Sequence, residues 1–183
     1  SSELVTAMSR GLGPDREEQY RRIPWIWRVA IAAGRRNDAE ELRRLLAASL
    51  PDDKTPLEDW QAVVIGGGLI NGITQAGAWP AERLESIVRD DQALRGRWRR
   101  ALDLASTMTD AKEVPEGTRY DALRMLGVEP WDRRGAQIAR YLSKGVSAEL
   151  QQGAVCALGD VPSPEATKAL LSGFGHYTPG NRK

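Results

Sequence analysis

The chain is short of the side chains that most often carry chemistry. Its 183 residues include one histidine, His176, one cysteine, Cys156, and one phenylalanine. A single imidazole excludes a metal cluster with several histidine ligands. It also leaves any Ser/His/Asp triad resting on a residue in the turn Gly175-His176-Tyr177, where a solvated histidine is the simpler reading. A single thiol excludes an internal disulfide, and its place between Val155 and Ala157 reads as a small buried hydrophobe. Charge of one sign is missing too: 26 basic side chains face 25 acidic ones, so bulk electrostatics names no partner. The longest apolar run, Ala62 to Ile73, is interrupted by glycines and Asn71 and falls short of the ~20 residues a spanning helix needs. No secretory leader pattern occurs in these residues, which for a segment says nothing about export of its parent.

What is there is helical punctuation. With 41% hydrophobic and 28% charged residues, the chain fits one globular domain or one stretch of a solenoid. Apolar positions follow the helical period rather than strand alternation. Starts are predicted at Asn37 with Glu40, at Thr55 with Pro56 and Glu58, at Pro80 after Trp79, and at Ser163 with Pro164. Stops are predicted at Gly34, Gly127, Gly145 and Gly159, where a residue without Cβ can turn left-handed. The acidic pairs Glu40-Glu41, Asp52-Asp53 and Asp90-Asp91 read as caps and first-turn charges. Thr178-Pro179-Gly180-Asn181-Arg182-Lys183 reads as the opening of a further helix. With Ser1-Ser2 in place of an initiator methionine, this predicts a segment of a longer polypeptide.

Self-comparison gives a repeat. A shift of 32 carries Ala122, Leu126 and Gly127 onto Ala154, Leu158 and Gly159. The same shift of 32 brings Ile138 and Ala139 onto Leu170 and Leu171, Leu142 onto Phe174, and Ser147 onto Pro179. Upstream the register loosens: Trp27 meets Trp60 at 33, with Gly34 on Gly67, and Trp60 meets Trp98 at 38. One helix pair cannot bury its apolar face alone, so stacked pairs must supply the core. The fold class predicted is all-α, an α-solenoid of antiparallel pairs in a single domain over 1–183. Its approximate units are 24–50, 55–89, 91–127, 130–159 and 163–183, with a short helix over Leu4 to Leu12 and an irregular insertion over Asp110 to Gly117.

Three features invite a functional reading. Ile65-Gly66-Gly67-Gly68-Leu69-Ile70-Asn71 suggests the glycine turn of a dinucleotide site. The spacing fails at Asn71, and no acidic ribose partner follows a second strand pattern, so a glycine-faced helix that a neighbour approaches closely is preferred. The six tryptophans, Trp25, Trp27, Trp60, Trp79, Trp98 and Trp131, read mainly as inter-helix packing. Trp98 is the exception, because Arg95, Arg97, Arg99 and Arg100 surround it in a pattern able to stack or hold phosphate. These five residues are the candidate interaction surface. Acidic residues interleaved with Arg21-Arg22, Arg35-Arg36 and Arg43-Arg44 suit a solvated face and disfavour nucleic acid as the partner.

Val146-Ser147-Ala148-Glu149-Leu150-Gln151-Gln152-Gly153-Ala154-Val155-Cys156-Ala157-Leu158-Gly159-Asp160, followed by Pro164 to Leu171, resembles a HEAT-type, armadillo-like repeat unit. From Pro24-Trp25-Ile26-Trp27-Arg28 onward the chain resembles the HEAT-like segment of large exported proteins of planctomycetes and related bacteria. In that family the segment lies between a sugar-dehydrogenase-like propeller and a c-type cytochrome module. The resemblance implies a bacterial scaffold or spacer that docks neighbouring domains or another protein, in an exported or periplasmic parent. It assigns no catalytic residue, metal or cofactor to this chain, since no Cys-x-x-Cys-His site or propeller pattern occurs. The alternative is a nucleic-acid-binding or DNA-repair HEAT-like protein using Trp98 and its arginines.

Overall fold

In the computed structural model, which describes residues 1–12, 15–50 and 60–182, the helical period of the apolar positions is realised throughout. Every regular element among the described residues is a helix. The chain divides into two compact units, Ser1–Leu104 and Ala105–Lys183. The predicted start at Thr55, Pro56 and Glu58 and the pair Asp52-Asp53 lie outside the described residues.

The first unit holds α1 (Ser2–Ser9), α2 (Arg16–Arg36), α3 (Ala39–Ser49), α4 (Gly66–Gln75), α5 (Pro80–Val88) and the first part of α6 (Gln92–Asp110). Helix α2 starts earlier than the sequence suggests. The Asp15 carboxylate accepts the Glu17 and Glu18 N–H groups at 2.9 and 3.4 Å, and Pro24 is carried inside the helix instead of opening it. An internal proline forfeits one hydrogen bond, at about 3 kcal/mol. Arg22 helps hold the turns before it, donating to the Met8 and Arg10 carbonyls at 3.4 and 2.9 Å.

The predicted stop at Gly34 is also displaced. Helix α2 runs on to Arg36, and Asn37 takes the left-handed conformation at φ 53°, which asparagine tolerates better than most residues. The start of α3 moves with it: Asp38, not Asn37, accepts the Glu41 N–H at 2.8 Å. Gly34 has another duty. A Cβ there would run into the Leu69 carbonyl oxygen and lie 2.8 Å from the Gly72 Cα, and one on Gly72 would lie 2.7 Å from the Gly34 Cα. Helices α2 and α4 therefore pack backbone to backbone, as the glycine-faced reading of 66–72 requires. A π-helical turn, Gln61–Ile65, leads into α4, and all of 62–73 is buried helix rather than strand and turn. Besides the α2–α4 contact, α3 touches both α1 and α5. Pro80 opens α5 at its first position, and Asp91 begins α6 by accepting the Leu94 N–H at 2.9 Å.

The second unit contains the last turns of α6, then α7 (Glu116–Leu126), α8 (Trp131–Ala139), α9 (Ala148–Gly159) and α10 (Pro164–Gly173), with 3-10 turns at Arg140–Leu142, Phe174–His176 and Pro179–Arg182. The irregular stretch is shorter than expected, because α6 continues to Asp110 and α7 begins at Glu116. The shift of 32 maps Glu116 and Leu126, the ends of α7, onto Ala148 and Leu158 in α9. Ala122, Leu126, Ala154 and Leu158 are all buried, as equivalent core positions should be. Ser163 caps α10, its hydroxyl accepting the Ala166 N–H at 3.2 Å.

Of the predicted glycine stops here, Gly145 is left-handed at φ 90°. Gly127 follows α7 at φ −66°, and what it lacks a Cβ for is contact: one would stand 2.6 Å from the Ala157 carbonyl oxygen of α9. Gly159 ends α9 without leaving helical geometry, and the space beyond its missing Cβ is open. Close by, Arg124 of α7 pairs with Asp160 at 2.7 Å, both side chains almost fully buried.

Candidate functional site

Helical geometry divides the residues that the sequence groups around Trp98. On α6 the positions Leu94, Trp98, Ala101 and Leu102 fall on one side and are buried; Trp98 is only 5% exposed. Its ring is core. Arg95 reaches back along the surface, donating from Nη2 to Glu85 at 2.9 Å and to the Arg89 carbonyl at 2.9 Å. Arg97 donates from Nη1 to the Leu50 carbonyl at 2.8 Å, tying α6 to the end of α3. Arg99 and Arg100 sit on the exposed side. Two arginines thus serve packing, two face solvent, and the tryptophan faces neither of those directions.

The other tryptophans follow the packing reading in part. The Trp27 ring carbon Cδ1 lies 3.3 Å from the place a Cβ on Gly68 would occupy, and the Trp131 ring covers Gly135. Trp25 is 59% exposed, with the Arg28 guanidinium 4.8 Å from its ring centroid. Trp79 is exposed as well, preceding Pro80 at the start of α5.

The residues with latent chemistry are dispersed. His176 is exposed in its 3-10 turn, and its carbonyl accepts from Gln151 Nε2 at 3.1 Å. Cys156 is half-buried on α9, and burial pushes its thiol above the ordinary range, against the opposing pull of Arg124. A shallow depression in the first unit is lined by Ser2, Glu3, Thr6, Arg10, Arg44 and Ala47 and is wide open to solvent. Among the described residues no three His, Cys, Asp or Glu side chains gather as a metal-binding group, and no helix is long and apolar enough to cross a membrane.

In the second unit the polar groups build joints. Ser106 Oγ donates to Gln137 Oε1 at 2.9 Å and accepts from Arg134 Nη1 at 2.8 Å; Arg134 also donates from Nε to Glu129 at 2.6 Å. Tyr141 Oη donates toward the Thr109 carbonyl at 2.6 Å and Asp110 at 2.7 Å. Burial and the neighbouring Asp110 carboxylate hold that phenol protonated above its usual range. These bonds lock the last turn of α6 to α8 and the turn after it.

The apolar surface of this unit lies at its other end. Leu171 is 73% exposed and Phe174 is 52% exposed, with Phe174 edge-on to Tyr177 at 5.8 Å between centroids. Tyr177 is buried, its hydroxyl donating to the Leu170 carbonyl at 2.7 Å. Beside them, Gln151 Oε1 accepts from the Thr178 N–H at 2.7 Å and from Asn181 Nδ2 at 3.1 Å, seating the Pro179–Arg182 turn on α9. Sequence reasoning did not single out this face as a surface, although the repeat had already aligned Leu171 and Phe174 with Ala139 and Leu142. Comparison of the chain with protein-family models, with curated proteins and with solved structures finds no match.

Proposed function

We propose that the chain is a non-catalytic HEAT-like scaffold, a solenoid segment that docks neighbouring domains of a parent protein or another protein. One observation carries this reading: helices make contacts with the next but one along the chain. In the first unit α2 packs on α4, while α3 touches α1 and α5. In the second, α7 packs on α9 and α8 on α10. Contacts between alternate helices are what two parallel rows of stacked pairs produce, whereas a bundle closed around one centre would not favour them. The 32-residue recurrence of α7 in α9, down to the buried Leu126 and Leu158, supports the same arrangement. A surface made of repeated helices is well suited to holding a partner and has no built-in place for chemistry. The resemblance to the helical segment of exported bacterial proteins points to the same role, with a redox-enzyme parent as its natural setting.

The rival reading, nucleic-acid binding, loses its aromatic platform when Trp98 is core, and keeps only Arg99 and Arg100 as outward charges. Titration of the full chain against labelled duplex DNA at low and physiological salt tests the choice. The scaffold reading expects no saturable binding at physiological salt. Tight binding that falls steeply with salt, and is lost in Arg99→Ala/Arg100→Ala, would replace it with the nucleic-acid reading.

A further inference from the structure

The last helix pair exposes some of the positions that its predecessor buries, Phe174 and Gly159 above all. Leu142, after α8, is 4% exposed and packs against α10, its Cβ 3.0 Å from where a Cβ on Gly173 would stand; its repeat equivalent Phe174 is 52% exposed. Ile138 is buried, while its equivalent Leu170 is half-buried; Leu171, whose own equivalent Ala139 is half-buried, is 73% exposed. The glycines repeat the pattern. Gly127 is pressed by the backbone of α9 at Ala157, yet its equivalent Gly159 has nothing within reach of a Cβ. One helix row thus has an unfilled notch at Gly159, and the other has an uncovered apolar ridge at Leu171 and Phe174. The internal pair in the same register shows what fits there.

We propose that the α9–α10 end face is a docking surface, and that its occupant is a two-helix unit in the same register. Its first helix sets a small residue over Gly159, and its second lays an apolar stripe over Leu171 and Phe174. The surface continues the interface by which α9 and α10 cover α7 and α8, so the chemistry of the occupant is already written in the chain. It is that of α9 and α10 themselves: Ala157 for the notch, and the Ala166 and Leu170 side for the ridge. This inference rests on the stacked-pair reading above and names the partner's kind and the place it binds.

A duplicated pair is the probe. Residues 1–178 followed by a second copy of 147–183 place an additional α9–α10 pair in register, because Ser147 and Pro179 are equivalent. Hydrogen exchange read by mass spectrometry should show the α10 amides slowed by about tenfold or more relative to the original chain, with a higher melting temperature. Gly159→Leu gives a sign test. It should be neutral or stabilising in the original chain, where the site is open, and should lower the melting temperature of the extended chain, where a side chain meets the added backbone. Phe174→Asp should lower the melting temperature of the original chain only modestly, through its edge contact with Tyr177, and that of the extended chain clearly more. Unchanged α10 exchange, or equal effects of Gly159→Leu in both chains, would overturn the assignment. A dimer of the original chain abolished by Phe174→Asp would overturn it too, since the occupant would then be a second copy. The α7 and α9 amides in the original chain report separately on the stack. If they are protected while the added pair is not, only the docking surface fails; if they are unprotected, the stacked-pair reading fails with it.

Discussion

At the scale of single residues, Glu41 shows how far local geometry can move a charge in a chain with almost no net charge. The Arg36 guanidinium donates from Nε and Nη2 to its two oxygens at 2.8 and 2.6 Å, and the Ser1 hydroxyl adds a third bond at 2.5 Å. These donors, Arg36 first among them, hold the carboxyl at about 2 in place of its usual 4.5. A carboxyl whose pKa is depressed on folding stabilises the fold at pH values above its unfolded pKa, and that contribution disappears as pH falls through the folded value. The window therefore runs from about 4.5 down to about 2. Thermal melts of the chain and of Glu41→Gln should differ most above pH 5, with the gap closing as the buffer is taken toward pH 2. A gap that stays constant across that range would show that the ion pair contributes nothing through ionisation.

At the scale of elements, the glycines decide how helices meet, and they divide into two kinds that composition cannot tell apart. Gly72 in α4 lies against the α2 backbone, so Gly72→Ala forces the two helices apart and should cost about 1–3 kcal/mol or more. Gly96 in α6 has open space where a Cβ would stand, so Gly96→Ala should stabilise by up to about 1 kcal/mol through helix propensity alone. Urea midpoints for the two variants should move in opposite directions, and a common direction would mean that the α2–α4 contact is looser than described. The same division explains what could be read beforehand. Caps that depend on a residue and its near neighbours, Ser163 with Pro164 and Trp79 with Pro80, were legible because their physics is local. Gly34 was misplaced as a stop because the demand on it comes from Gly72, far along the chain, and a single sequence signals the glycine face of 66–72 without naming the helix that meets it. Pro24 misled for a related reason: the Asp15 cap starts the helix nine residues before it, so the proline falls inside instead of at the first turn. The Trp98 cluster failed as a patch because adjacency in sequence is dispersal on a helix, where successive side chains point about 100° apart.

At the scale of the molecule, a stack of pairs predicts an uneven distribution of stability, which a single closed core would not. In such a stack each pair would gain most of its burial from the pairs on either side, so helices with neighbours on two sides should open last. In the second unit α9 is flanked by α7 on one side and seats the Pro179–Arg182 turn on the other, with α8 and α10 across from it. Helix α10 presents Leu171 and Phe174 to solvent instead. Native-state hydrogen exchange should therefore find the slowest amides of this unit in the buried stretch Ala122–Leu126 and at the buried Ala154, Ala157 and Leu158, with α10 exchanging through a lower-energy opening of its own. Leu158→Ala removes a fully buried side chain from the more protected helix and should cost roughly 2–5 kcal/mol, bringing the openings of α9 and α10 closer together. Uniform exchange across α7 to α10, lowered equally by Leu158→Ala, is the behaviour of one cooperative globule. It would mean that the alternate-helix contacts do not divide the unit into stacked pairs.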